Sequence, residues 1–339
     1  MTYSSDPSQN TSSVVDTPKS RRKYRIPRWG RLSITLTVLF SIILIVAVVT
    51  SIGSLTKNMH TTPVEGLSAE SGSKEPMNIL VVGSDERDGA IEAGDAEGRR
   101  SDSMVLVHIN GDSTEVTGVQ IPRDTMVPAP SCAAYDDAGY TGDVQVNSLL
   151  NDGESCLVSA VSSMTGLPIH HFVDMNFHGF MSMVDALDGI DICLPEALKD
   201  PDANLDLPAG CQKVRGEDAL ALARTRHAVG DGSDLARMEH QQDVISAILH
   251  KAEESSILSH PKKFYSFASS LTSSVTVDDG LKSTSSMTSL ARRFKGVGED
   301  DFTVQQLPTE PYLYDYNRVQ LSDEGKQMLD KLGSDESLR

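Results

Sequence analysis

The chain has 339 residues, a length that suits one large domain or two modest ones. Its 48 acidic side chains outnumber 30 basic ones for a formal charge of -18, yet residues 1–31 alone are +5, leaving -23 on the rest. Holding nucleic acid by phosphate neutralisation needs a broad basic stripe, so that class is excluded, whereas a tight local arginine cluster for a single phosphate group is not.

Residues 1–18 are rich in Ser, Thr, Pro and Asp without apolar periodicity and are expected to be a disordered stretch of a cytoplasmic basic tail, 1–31. Residues 32–55 carry no charge, and 24 residues of helix reach about 36 Å, enough for a hydrocarbon core of ~30 Å. The segment predicts an uncleaved, single-pass anchor, and the basic cluster before it leaves the N-terminus in the cytoplasm and everything beyond it outside. A polar stretch over 56–76 reads as a linker, and 77–339 as one extracytoplasmic domain.

Three strand-like runs open that domain, at 78–82, 104–109 and 116–121. Asn110-Gly111 between the last two predicts an antiparallel hairpin. With the first strand parallel to the third, a meander follows, and one edge of the sheet collects Asp85 and Arg87, then Arg99, Arg100 and Asp102, then Arg123 and Asp124. Any one of these is commonly a solvated loop charge. Three clusters at corresponding strand ends weaken that explanation.

The four cysteines, Cys132, Cys156, Cys193 and Cys211, all lie in the exterior part, where disulfides persist. Three connectivities are possible. Pairing Cys132 with Cys156 and Cys193 with Cys211 is favoured, since each pair brackets a stretch rich in turn residues such as Pro201, Pro208 and Gly210. The adjacent His170 and His171 read as ordinary strand-edge residues.

Arg224 and Arg226 flank Thr225 after a helix-like run, and in extended backbone i and i+2 side chains point the same way. A planar guanidinium that stays charged can donate two hydrogen bonds to a phosphate. A helix predicted from Ser233 or Asp234 places Asp234, Arg237, Gln241, Ile245 and Ile248 on one stripe of 3.6-residue period. A buried arginine there needs a carboxylate or an anion, although an internal Asp234–Arg237 pair explains the pattern equally well. No H-E-x-x-H, G-x-S-x-G, P-loop or G-x-G-x-x-G motif is present, and two S-x-x-K matches are accidental. Carboxylates and arginines are thus the chemical equipment, a set suited to phosphoryl chemistry with Mg2+ held by Asp85 and Asp102.

Taken together, Asn78-Ile79-Leu80, Gly83-Ser84-Asp85-x-Arg87, Arg100-Ser101-Asp102-Ser103-Met104, Ile121-Pro122-Arg123-Asp124, Asn147, Arg224-Thr225-Arg226-His227 and Asp234-x-x-Arg237-x-x-x-Gln241-Gln242 resemble the LytR-CpsA-Psr family, and the cysteine positions resemble its actinobacterial members. The resemblance implies an α/β domain with a central mixed sheet packed between helices. It implies a membrane-bound, Mg2+-dependent transferase that moves a glycopolymer with its phosphate from a polyprenyl-pyrophosphate to a muramic acid hydroxyl of peptidoglycan, the prenyl chain lying in an apolar pocket. Asp85 and Asp102 would hold the metal, with Asp102, Arg123 and Asp234 catalytic. Arg87, Arg100, Arg123, Asn147, Arg224, Arg226, Arg237 and Gln241 would meet the pyrophosphate. His240 stands where the family often has an arginine, and Gln145 and Ser148-Leu149 replace a lysine and an Ala-Tyr pair. A lipid-pyrophosphate hydrolase and a noncatalytic receptor for an anionic wall ligand are the competing readings.

Overall fold

The computed structural model describes residues 59–69, 72, 74–84, 99–137, 139, 141–225, 234–254, 269, 275–294, 297 and 301–339, with backbone alone at 102, 133, 234–239, 249, 252–254, 284 and 291. The expected span at 32–55, and with it Asp85, Arg87 and Arg226, lies outside the described residues. Among the described residues no helix is long and apolar enough to cross a membrane.

A seven-stranded mixed sheet organises the domain. Its strands are β1 (His60–Thr62), β2 (Met77–Ser84), β3 (Ser101–Ile109), β4 (Val116–Ile121), β7 (His171–Asn176), β12 (Val275–Asp278) and β13 (Phe302–Gln306), in the order β1-β12-β7-β2-β3-β4-β13. The β2-β3-β4 meander forms as expected, with both pairs antiparallel. On its other side β2 runs parallel to β7. Short two-stranded pairs surround this sheet: β5 (Met126–Pro128) with β6 (Asp143–Gln145), β8 (Ile190–Leu194) with β11 (Gly210–Val214), β9 (Leu198–Asp200) with β10 (Leu205–Leu207), and β14 (Thr309–Tyr312) with β15 (Asp315–Leu321). The helices used below are α1 (Glu154–Thr165), α2 (Phe177–Ala186), α3 (Gly216–Arg224), α4 (Asp234–Glu254), α5 (Thr284–Phe294) and α6 (Asp323–Gly333).

The two faces of the sheet differ. Alternation along the strands puts Leu80, Val82, Met104, Leu106, Val119 and Ile121 on one face, all at 0–2% exposure beneath α1, α6 and the 3-10 segment Val146–Asp152. At about 1.5–3 kcal/mol for each fully buried side chain, this face is the main apolar core. Register puts Val81 opposite Val105 and Val173, and Ile79 opposite Val107, on the other face. There Val81, Val105, Val107, Val173 and Val304 are only half-buried.

Three expectations need correction. The polar stretch 56–76 is more than a linker: His60–Thr62 forms a strand of the sheet, Met59 is buried, and Val64 and Leu67 pack on the core. Arg293 holds the same segment by donating to the carbonyls of Gly72 and Glu75. Short strands with few apolar residues leave no periodic signature. The Asn110-Gly111 hairpin exists, but its loop spans six residues instead of two. Asn110 Oδ1 accepts the N–H groups of Thr114 and Glu115, and Ser113 takes φ 60°. Gly111 is needed for close approach, since a Cβ there would stand 2.6 Å from the Lys74 carbonyl oxygen. The histidine pair is also not peripheral: His170 and His171 are both buried, His170 Nδ1 accepting the Asn78 N–H.

Both favoured disulfides are present, Cys132–Cys156 and Cys193–Cys211, the second joining residues directly opposite on β8 and β11. Replacing Cys132 and Cys156 by alanine is expected to cost about 2–4 kcal/mol, read as a lower denaturant midpoint that dithiothreitol no longer shifts for that bond. His171 Nδ1 lies 3.1 Å from Asp278 Oδ2, which also accepts the Phe172 N–H. Burial disfavours the ionised Asp278, but the His171 contact and the Phe172 and Leu281 N–H groups outweigh it, holding its pKa below the ordinary 3.8. A depressed carboxyl stabilises the fold above its unfolded pKa and loses that contribution as pH falls through the lower folded value. Asp278→Asn should therefore destabilise the fold at neutral pH and flatten the stability loss below about pH 4, measured by urea titration across pH.

Candidate functional site

One edge of the sheet gathers the described members of the predicted set. Register places Ser84 opposite both Ser101 on β3 and Asn176 on β7, so the ends of β2 and β7 and the start of β3 coincide. Between Gly83 and Ser84 the register shifts, so that Gly83 pairs with Ser103 and Ser84 with Ser101, leaving Asp102 as the extra residue of a bulge. Ser84 Oγ is fully buried there and has no hydrogen-bond partner among the described residues. Asp85 follows directly in sequence.

Arg123 sits in the turn that leaves β4. Thr125 closes it, donating both its N–H and its hydroxyl to the Pro122 carbonyl. The Asn147 N–H donates to the Arg123 carbonyl at 3.3 Å, while the Asn147 carbonyl accepts from Ser101 Oγ at 3.4 Å. The buried backbone of Asn147 thereby ties the start of β3 to the turn that carries Arg123. Arg99, one residue before the exposed Arg100, is committed elsewhere: it pairs with Glu154 at 2.8 Å and with Asp174. Burial opposes its charge, but those two carboxylates more than compensate and raise its pKa.

Across the edge, Arg224 ends α3 with its guanidinium carbon 4.8 Å from the Phe177 ring centroid, a cation–π contact to the residue following β7. Thr225 turns inward and donates to Asp200 Oδ2 at 2.5 Å. Gly216 opens α3 where a Cβ would stand 2.4 Å from the Met181 carbonyl oxygen, so this close approach to α2 sets the helix, and Arg224 with it. Gln241 on α4 is buried and links the groups: its Oε1 accepts from Gln120 Nε2 at 2.5 Å, one residue from the end of β4, and its Nε2 donates to the Ala223 carbonyl at 3.2 Å. Of the predicted ligand set, Arg100, Arg123, Asn147, Arg224 and Gln241 thus share one edge. The helix bearing Asp234 and Arg237 forms as expected, but their side chains, like that of Asp102, lie outside the described residues. Among the described residues no cluster of three His, Cys, Asp or Glu is placed to hold a metal.

Asp124, which the sequence already sets at the charged edge, and two residues to which it gives no role, Arg318 and Gln120, complete this region. Asp124 lies beside Arg123, its Oδ2 3.6 Å from Nε, and its Oδ1 accepts from Gln145 and from Arg318 Nη1, the latter at 3.0 Å. Arg318 comes from β15, whose Val319 N–H also donates to the Asp124 carbonyl. Held by Gln145 and Arg318, the Asp124 carboxylate is a fixed ion-pair partner for Arg123. Gln120 is the third, buried beside Gln241 with its Oε1 unpartnered. Alternation within β15 could have shown Arg318 pointing away from Val319, but nothing local connects it with Asp124, 194 positions earlier.

Arg318→Ala should leave Asp124 to draw Arg123 closer and weaken the binding of inorganic pyrophosphate by about three- to tenfold, with partial recovery in Arg318→Lys, measured by calorimetry.

The LytR_cpsA_psr family profile matches residues 44–332. The cell wall biosynthesis protein LcpA of Corynebacterium glutamicum is 29% identical over 258 residues, 67% of this chain and 50% of that protein. The chain thus spans about half the length of this corynebacterial relative. The polyisoprenyl-teichoic acid–peptidoglycan teichoic acid transferase TagT of Bacillus subtilis is 28% identical over 77% of this chain and 78% of its own. Among solved structures, a LytR-Csp2A-Psr enzyme from Actinomyces oris superposes with a TM-score of 0.63 at 23% identity, covering 81% of this chain and 96% of that one, a likeness of fold. With the family profile covering most of its length, the chain belongs to the LytR-CpsA-Psr family.

Proposed function

We propose that this chain is a membrane-anchored phosphotransferase that moves a glycopolymer with its phosphate from a polyprenyl-pyrophosphate carrier to peptidoglycan. The observation that carries the reading is the gathering of Arg100, Arg123, Arg224 and Gln241 at one sheet edge, above a half-buried apolar face. Guanidiniums from separate elements suit a diphosphate, and the stripe Val173-Val81-Val105 suits the prenyl chain leading from it. TagT of Bacillus subtilis is a polyisoprenyl-teichoic acid–peptidoglycan teichoic acid transferase, and a solved structure holds TagT bound to LI-WTA, a substrate of the same kind.

In this reaction the acceptor hydroxyl oxygen attacks the glycan-bearing phosphorus and gives up its proton to solvent, the bond from that phosphorus to the bridging oxygen breaks, and polyprenyl phosphate leaves. Negative charge grows on the bridging oxygen, where Arg123 and Arg224 stabilise it, while the clamp of Asp124, Gln145 and Arg318 keeps Arg123 in place. Asp102 at the bulge and Asp85 next to the unpartnered Ser84 hydroxyl are the hard oxygen donors that suit Mg2+. When bound, the ion would neutralise diphosphate charge. Arg226, Arg237 and Asp234 complete the proposed set, and residues 32–55 place the domain on the outer side of the cell membrane, where lipid-linked donor and wall acceptor meet.

Incubation of the full chain with lipid-linked glycan, Mg2+ and peptidoglycan fragments should yield a phosphodiester-linked product, with Arg123→Ala and Asp102→Ala each lowering the rate at least about a hundredfold. Free phosphorylated glycan without attachment would identify a hydrolase. Tight binding without turnover would identify a receptor.

A further inference from the structure

The β14–β15 hairpin, which supplies Arg318, ends in an unusual surface. Leu313, Tyr314 and Tyr316 are 68%, 81% and 84% exposed, where the next most exposed large hydrophobic among the described residues, Phe294, reaches 36%. Grouped exposure of large apolar side chains on an otherwise charged protein marks an interaction site. The tip is also built to be presented. Tyr312 and Tyr314 pack edge to face with ring centroids 5.5 Å apart, and the Tyr312 hydroxyl donates to Asp143 on β6 at 2.7 Å.

Register connects this tip with the charged edge. Tyr316 and Arg318 are two residues apart on β15, so they share a face at about 7 Å separation. Arg318 reaches Asp124, which adjoins Arg123. A molecule lying on Tyr316 is therefore beside the place where the diphosphate would react.

The chemistry of the tip selects the occupant. A tyrosine ring offers a flat apolar face with a polar rim, the complement of a pyranose, which presents a patch of C–H bonds bordered by hydroxyls. Asp315, adjacent to Tyr316 at the start of β15, supplies a carboxylate acceptor for such hydroxyls. The hairpin's one cationic side chain, Arg318, is held by Asp124, Asp143 accepts from Tyr312, and Lys326 beyond the hairpin is paired with Asp323, so among the described residues the tip offers anionic lipid or anionic polymer no uncommitted cation. A membrane-docking loop needs such cations.

We infer that the tip, through Tyr314 and Tyr316, is a stacking platform for the uncharged sugar strand of the peptidoglycan acceptor, guiding its hydroxyl toward Arg123. This rests on the transferase reading, and binding and turnover test the two separately.

The full chain in detergent micelles is titrated with uncharged β-1,4-linked N-acetylglucosamine oligomers, a neutral stand-in for the sugar strand, and with farnesyl pyrophosphate as a donor-site probe. Tyr314→Ala with Tyr316→Ala should weaken strand binding about tenfold or more, the matching Phe pair should stay within about twofold, and farnesyl pyrophosphate binding should be unchanged in both. Strand binding undiminished in the Ala pair, or no strand binding by the unaltered chain, overturns the inference. So does selective loss of sedimentation with phosphatidylglycerol vesicles, which would make the tip a membrane contact. Tyrosine-dependent strand binding in a protein that transfers nothing would sink the transferase reading and leave the platform standing.

Discussion

Strand β2 fixes where the chemistry lies. Because it runs parallel to β7 and antiparallel to β3, Ser84 meets Asn176 on one side and Ser101 on the other, and three chain ends are brought to one edge. A slip of one residue would turn every side chain of β2 to the opposite face. The core prevents this, since Leu80 and Val82 are fully buried and their neighbours Val81 and Gly83 belong to the half-open face. Burial of apolar surface thus sets the register, and the register sets the meeting point of the charges.

Support for the charged edge comes from neutral or already paired groups. The Asn147 backbone holds the Arg123 turn to β3, Gln241 joins β4 to α3, and Asp124 is shared between Arg123 and Arg318. Arg99 spends its charge on Glu154 and Asp174. An unpaired guanidinium pushed into the interior would cost more than it returned. The described ones proposed to meet the diphosphate instead sit at the rim, Arg100 and Arg224 exposed and Arg123 partly so.

Local patterns made much of this readable in the sequence. The β2-β3-β4 meander followed from Val- and Ile-rich runs and an Asn-Gly pair, α4 from the stripe through Gln241, and the disulfides from the turn residues they enclose. What was hidden depends on distance along the chain. Arg318 acts on a residue 194 positions away, and β1 joins β12 through three polar-flanked residues. The asymmetry of the two sheet faces was equally invisible, because Leu80 and Val81 look alike until the packing above each is known.

Helix α1 begins at Gly153, which has no side chain with which to cap it, so its first turn is held by Arg99 on Glu154 and by the bond from Cys156 to Cys132. The covalent tie and the ionic one are two residues apart. A chain still carrying thiols lacks the first and keeps the second together with the Glu65 N–H on Ser155 and the buried Leu157 and Val158, so oxidation of the cysteines tightens the turn that presents Glu154 to Arg99. Cysteine oxidation and the placement of Arg99 thus act on one turn of one helix.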